Sequence, residues 1–245
     1  MRSKTALGKL SPDRFGMLDL PKLDMALIEG FLALPDLTGM TSDAMDDLGL
    51  AGAVPASVLT PTDPPRRIVG RALTVENRRL TNSVAEAVRE GRSRLGEIEA
   101  HNLAEPGDVL VIQGLQGISS MGGISASIGL LQGEIGAIVD GAVRDTHYSR
   151  GIGYPIWSRG VSPITGKWRI ETVSINMRIS ICGVTVYPGD LVAADEMGVC
   201  FVPHEAAGMV LARAQAIATD ERARLAEING GAPIAELAPR KPLVS

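Results

Sequence analysis

Aromatic residues are scarce, at 3% of the chain, and there is no basic excess: 24 Lys and Arg stand against 28 Asp and Glu. The formal charge of −4 leaves no cationic footprint to hold phosphates, and few rings remain on which single-stranded bases could stack. Nucleic acid is therefore not an expected partner. Two cysteines, Cys182 and Cys200, lie far apart and form no metal-binding or redox motif. That speaks against a disulfide framework or a zinc site and suits a reducing, cytoplasmic setting, with both residues expected as small core hydrophobes in strands. No stretch approaches the ~20 apolar residues of a membrane span. The N-terminal MRSKTALGKLSPDRFG is basic but lacks the apolar run of a signal peptide. A cytoplasmic protein without membrane contact is expected.

Several catalytic signatures are missing as well. No G-x-G-x-x-G follows a strand, and no P-loop, H-E-x-x-H or G-x-S-x-G occurs. The five lysines, Lys4, Lys9, Lys22, Lys167 and Lys241, all lie outside apolar strands, where burial would lower a lysine pKa for imine chemistry. The three histidines, His101, His147 and His204, show no ligand spacing.

What is present reads as an α/β chain. With 45% hydrophobic and 21% charged residues, 245 positions suffice for one large domain with a sizeable core. Residues 1–20 read as a flexible arm, 21–63 as an N-terminal helical segment, 64–228 as the main domain and 229–245 as an irregular tail. Apolar spacing predicts helices over 22–34 and 38–50, the second with Thr41, Ser42 or Asp43 as its N-cap. Beyond a proline-rich connector (55–67), a strand over 68–79 and a helix over 81–102 are expected. Strands over 105–114 and 135–141 then flank a helix over 122–134, a spacing suited to a βαβ unit. Residues 170–203 break into short β-rich runs punctuated by Gly, Pro and Asp, hence hairpins, before a last helix over 204–228. Two Pro-Gly-Asp turns, at 106–108 and 188–190, each feed an apolar strand, and Pro then Gly suits a type II turn. Parallel strands followed by hairpins imply two sheet layers with helices outside.

Two stretches carry chemical groups. The glycine-rich GLQGISSMGGIS (114–125) lies between a strand and a helix start, where free N–H groups can hold a carboxylate or phosphate; a plain tight turn explains it equally well. In IVDGAVRDTHYSRG (138–151), Arg144 and Asp145 fall just beyond the C-terminal end of a parallel strand, the place where α/β sheets gather ligands. A guanidinium fork binds a carboxylate in bidentate fashion, and an aspartate with water neighbours suits Mg²⁺. The two would hold a 2-oxo acid, although a structural ion pair is the simpler reading. His147 lies two residues on and reads as a loop histidine or as a second site group. Arg159 is a further candidate for the cavity wall. Asp140 is expected to orient the Arg144 loop, and Asp195 to make a hairpin turn.

GAIVDGAVRD (136–145), SRGVSP (158–163) and CGVTVYPGDLVAADEMGVCFVP (182–203) resemble the RraA-like family over roughly residues 40–225. The D-G-x-V-R-D and P-G-D-x-V-x-A-D blocks are specific when found together in this order. The resemblance implies a swivelling α/β/β sandwich assembled as a homotrimer or homohexamer, with sites between subunits. The family includes class II 4-hydroxy-4-methyl-2-oxoglutarate/4-carboxy-4-hydroxy-2-oxoadipate aldolases, which also decarboxylate oxaloacetate, and the regulator of ribonuclease activity A, which has no known enzyme activity.

Carried over from the aldolases, Arg144 would contact the pyruvyl part of the substrate and Asp145 would ligate Mg²⁺ or Mn²⁺. Backbone amides of Met121, Gly122, Gly123 and Ile124 would complete the substrate contact. The sequence departs from the aldolase pattern at one place: separated from the Arg-Asp pair by twenty intervening residues, where those enzymes carry Asp or Glu, stands Gly123. An acid from a neighbouring subunit's last helix also helps in the aldolases, and Asp220 and Glu221 lie near the matching place. The resemblance thus implies a metal-dependent C–C lyase of a short 2-oxo acid. A non-catalytic binding protein and a different hydroxy- or oxo-acid enzyme on the same scaffold are the alternatives.

Overall fold

A computed structural model describes residues 4–62 and 66–237. In chain order the helices are α1 (Met25–Leu32), α2 (Leu37–Asp47), α3 (Val84–Glu90), α4 (Glu97–Leu103), α5 (Gly123–Gln132), α6 (Thr146–Gly151), α7 (Ala207–Asn229) and α8 (Ile234–Leu237). The strands are β1 (Ala53–Pro55), β2 (Thr60–Pro61), β3 (Ile68–Arg79), β4 (Asp108–Gln113), β5 (Gly136–Val143), β6 (Ile156–Val161) and β7 (Ile170–Ile175). They are followed by β8 (Ile179–Ile181), β9 (Val184–Val186), β10 (Leu191–Asp195) and β11 (Gly198–Val202).

The main sheet runs β1-β11-β10-β3-β4-β5-β6-β2, with β7 added to the far end of β3. Strands β3 to β6 are parallel, and their neighbours on both sides are antiparallel. A period of two sorts the side chains. Val69, Leu73 and Val75 of β3 face the helices; Ile68 and Ala72 face the other way. On the helix side, α1, α2 and α7 cover β10 and β11, while α4 and α5 cover β3 to β5. The opposite face closes around Trp157 and Phe201 beneath the β8–β9 hairpin, which contributes Ile179, Ile181 and Val186. Because β4 is covered on both faces, it is the continuous apolar run Val109–Ile112, every residue of it inaccessible to solvent. The result is a curled mixed sheet with helices outside and a second β-layer inside, the α/β/β arrangement.

The two Pro-Gly-Asp turns share one geometry. Gly107 and Gly189 take φ of +93° and +95°, the left-handed position of a type II turn. The carboxylates of Asp108 and Asp190 each accept the amide three residues back, Glu105 N and Tyr187 N, both at 2.8 Å. Asp108 also pairs with Arg71 at 2.7 Å.

Three local expectations differ. The helix over 81–102 is two helices, because Gly91 (φ +65°) ends α3 and Gly96 caps α4. The N-cap of α2 is Asp36, whose side chain accepts Gly39 N, and Thr41 is inside the helix. Cys200 lies buried in β11 as expected, but Cys182 occupies the β8–β9 turn with φ +52°. Leu7 N and Lys9 N of the N-terminal segment donate to the buried carboxylate of Glu99 on α4. The boundary expected between residues 63 and 64, and the tail beyond 237, lie outside the described residues.

Candidate active site

The C-terminal ends of β4 and β5 meet the glycine-rich loop. Ser120 N donates to Ala142 O (2.9 Å) and Arg144 N to Met121 O (3.1 Å), stitching the loop to the strand that ends in Arg144. The loop feeds α5 through Gly122, whose backbone is extended and carries no side-chain cap. The first amides of α5 therefore depend on groups from outside the helix.

Asp145 supplies one of them. It occupies the N-cap position of α6 in the left-handed region (φ +56°, ψ +33°), yet its side chain does not cap that helix. Its Oδ2 instead accepts Gly123 N across the loop at 3.1 Å. Aspartate tolerates this left-handed backbone, and what sets Asp145 apart is that its carboxylate leaves its own helix unsatisfied and turns to another. Arg144 Nε lies 3.5 Å from the same oxygen, and both side chains are more than 40% exposed. Nothing among the described residues engages the Arg144 terminal nitrogens or Asp145 Oδ1. The amides of Ile124 and Ser125 are likewise without acceptors among the described residues.

A cavity of about 300 Å³ opens beside the pair, lined by Gly122, Gly123, Ser125, Glu97, Arg144 and Asp145 among others. Both glycines are closely approached by side chains. A Cβ on Gly122 would lie 2.7 Å from Asp145 Oδ2 and 3.0 Å from Arg144 Cγ. A Cβ on Gly123 would lie 2.9 Å from the ring of Tyr148 on α6. The space that an acid at position 123 would need is therefore held by an aromatic ring.

Of the residues singled out in the sequence, Met121, Gly122, Gly123, Ile124, Arg144 and Asp145 line this cavity together. His147 is exposed in the first turn of α6 and lines neighbouring hollows that share Asp145 with this cavity. Arg159 does not line the cavity. It pairs with Asp140, whose second oxygen accepts Cys182 N at 2.6 Å, so Asp140 fastens the β8–β9 turn and not the Arg144 loop. Asp220 and Glu221 are exposed on α7, whose packing partners are α1 and α2, and they do not reach this cavity within one chain. Asp195 does make a hairpin turn: its carboxylate accepts Thr38 N and Met197 N.

Further residues were not singled out. Glu97 lines the cavity with a buried Oε2 that has no hydrogen-bond partner. Burial raises its pKa above the ordinary carboxylate value, against the opposing pull of its own backbone amide and of nearby His101 and Lys9. Behind it, His101 is fully buried, with Nδ1 2.8 Å from Glu134 Oε1 and Nε2 2.8 Å from Ser125 Oγ. The Tyr154 hydroxyl donates to Glu134 Oε2 at 2.6 Å. Burial and the Glu134 charge push that phenol well above its ordinary pKa, so it stays a donor. The one visible signal is the i, i+4 spacing of Glu97 and His101, which puts both on one face of α4.

A divalent cation fits this site in one mode. Among the described residues no group of three or more His, Cys, Asp and Glu could hold a metal. Asp145 offers one oxygen that nothing else engages, and Mg²⁺ is commonly held by one or two carboxylates with waters and substrate oxygens completing the shell. The donor set suits a cation completed by substrate, not a protein-built cage. Among the described residues no helix is long and apolar enough to cross a membrane.

The family model RraA-like, described as Aldolase/RraA, matches residues 38–201. The chain is 30% identical over 207 residues to the "Putative 4-hydroxy-4-methyl-2-oxoglutarate aldolase" of Halalkalibacterium halodurans, covering 84% of this chain and 90% of that protein. A crystal structure of a protein from Pseudomonas syringae pv. tomato superposes with a TM-score of 0.74 at 26% identity, over 89% of this chain and 95% of the other. Streptomyces coelicolor RraAS2, titled an unusual member of the RNase ES inhibitor RraA protein family, shares the fold, with a TM-score of 0.68 at 23% identity over 83% and 98% of the two chains. With the α/β/β architecture and the V-R-D turn at the end of β5, these likenesses make the chain a member of the RraA-like family, whose scaffold serves both aldolases and non-catalytic regulators.

Proposed function

We propose that the protein is a divalent-metal-dependent lyase that cleaves a C–C bond of a short 2-oxo acid and releases pyruvate, by retro-aldol cleavage, decarboxylation or both. The observation that carries this reading is the Asp145 carboxylate, turned out of its own helix cap and toward the start of α5 beside an uncommitted guanidinium. Arg144 holds the substrate carboxylate in a bidentate grip. The free amide of Ile124 adds a donor at the helix N-terminus, where negative charge is favoured. Asp145 would hold Mg²⁺ or Mn²⁺, which when bound supplies polarisation of the 2-oxo oxygen. Glu97, whose pKa is raised by burial, lines the same cavity and would hand a proton to the enolate. Fixed positive charge where an enolate develops is worth roughly 10²–10³-fold in rate.

Assembly as a homotrimer or hexamer, with the site between subunits, belongs to the same proposal. Ile124, Tyr148 and Val161 line the hollows flanking Asp145 and are 79%, 48% and 69% exposed. Exposed apolar side chains around a site support an interface there. Across it, Asp220 or Glu221 of a neighbour would supply the acid that Gly123 does not. The second reading, a non-catalytic binding protein, is favoured by the Tyr148 ring that fills the place of an acid at 123.

Pyruvate release from oxaloacetate and from 4-hydroxy-4-methyl-2-oxoglutarate, followed with a coupled reductase, separates the two. Turnover above the metal-only blank, lost with chelator and in Asp145→Ala, is expected. Absence of turnover together with absence of metal binding would move the assignment to the binding protein.

A further inference from the structure

Ser125, His101 and Glu134 come from α5, α4 and the turn before β5, and nothing in the lyase reading uses them. Their order in space is nucleophile, base and carboxylate: Ser125 Oγ 2.8 Å from His101 Nε2, and His101 Nδ1 2.8 Å from Glu134 Oε1. The carboxylate fixes the tautomer, because Glu134 can only accept at Nδ1, which leaves Nε2 to accept the serine proton. Glu134 is itself held by the Tyr154 hydroxyl. Histidine and glutamate are buried, and Ser125, 6% exposed, lines the cavity together with His101. The amides of Ile124 and Ser125, at the start of a ten-residue helix, have no acceptors among the described residues. Being next to Ser125 in the chain and uncommitted, they would be the donors to an oxyanion formed on a carbonyl attacked by Ser125.

We propose that this constellation is a serine acyl-transfer site that hydrolyses small carboxylic esters. A cavity of about 300 Å³ admits a short acyl group, and Arg144, Lys9 and Lys167 on its wall favour an ester that also bears a carboxylate. In acylation the Ser125 Oγ–C bond forms as its proton passes to His101 Nε2. The ester C–O bond breaks, and the imidazolium returns that proton to the departing alkoxide. Water then adds to the acyl-enzyme by the same route, releasing the acid and restoring Ser125. No oxidant, reductant or metal enters the balance, and the proposal does not rest on the lyase reading.

The test uses diisopropyl fluorophosphate as the covalent probe, with 4-nitrophenyl acetate and its hemisuccinate analogue as substrates, on the full chain. The expected result is loss of fluoride with phosphorylation mapped by mass spectrometry to Ser125, and ester turnover that persists in chelator and is faster for the anionic ester. Ser125→Ala and His101→Gln reduce turnover to background. Glu134→Gln, which keeps the shape and the Tyr154 contact, lowers kcat by roughly 10³–10⁴-fold with KM unchanged, a split that a purely structural carboxylate would not produce. Circular dichroism of each variant checks that it is folded. A folded wild type that is neither labelled nor active would overturn the proposal and leave the network as a tie between α4 and α5. Labelling that survives in Ser125→Ala would overturn it as well, as would ester turnover lost with chelator.

Discussion

Two arginine–aspartate pairs involve β5, one from within the strand and one just beyond its end, and their carboxylates differ in what they are committed to. Asp140 and Arg159 are neighbours across parallel strands, and the pair is closed: Asp140 also accepts Cys182 N, and its charge, ahead of the Cys182 thiol beside it, raises the guanidinium pKa. Arg144 and Asp145 are neighbours in sequence at 3.5 Å, more than 40% exposed, with a carboxylate oxygen and guanidinium nitrogens left over. In the first pair the Asp140 carboxylate has spent both oxygens, one on Arg159 and one on holding a hairpin. The second keeps its capacity for something not in the chain. Residue identity therefore says little about role; unspent valence and exposure say more.

Four measurements would break or sharpen that comparison. The largest effect is expected from Asp145→Asn, which tolerates the left-handed backbone but removes the charge. Pyruvate release should fall by about 10²–10³-fold with the melting temperature nearly unchanged. The closed pair should instead show itself through chemistry that is suppressed. Burial, reinforced by Asp140, raises the Cys182 thiol from an ordinary 9.0 to about 11. The thiolate fraction at pH 8 is then roughly a hundred-fold below that of a free cysteine. Iodoacetamide alkylation should be correspondingly slow and climb toward pH 11, and a fast reaction at pH 8 would contradict the geometry.

Gly122→Ala tests the open pair from the other side. Its Cβ meets both side chains within 3.0 Å, so they must move, and displacement by about an ångström can cost up to ~10²-fold in turnover. The smallest effect on activity, and the clearest on stability, belongs to Asp140→Ala. It strands the Cys182 amide and the Arg159 guanidinium, a loss of about 1–3 kcal/mol readable by denaturant unfolding. If Asp140→Ala abolished turnover while leaving stability intact, the division between the two pairs would be wrong.

Legibility in the sequence followed the range of the interactions. Strand β3 falls on Ile68–Arg79 as its apolar pattern predicts, and the Pro-Gly-Asp repeats become the same turn twice because Pro, Gly and Asp each act within three residues. Helix ends were harder to place. Asp36 won the cap of α2 over Thr41, and Gly91 with Gly96 split one amphipathic stretch into two, since cap geometry depends on where the chain enters from its neighbours. The histidines divide by burial. His147, conspicuous beside Asp145, is solvent-exposed, whereas His101 is the buried one with partners on both nitrogens.

By itself the sequence determined the parallel core with its hairpins, the glycine loop before α5 and the Arg144-Asp145 turn at the end of β5. Each is written in periodicity or in contiguous residues, which local sterics and a period-two burial pattern decode directly. Only the tertiary structure decided which carboxylates remain uncommitted, that Tyr148 fills the space beside Gly123, and that Glu97, His101 and Ser125 converge on one cavity wall with Glu134 buried behind His101. Those facts join residues from separate elements. They depend on how helices seat on a curled sheet and on which atoms burial leaves without water, and neither is encoded at any fixed spacing along the chain.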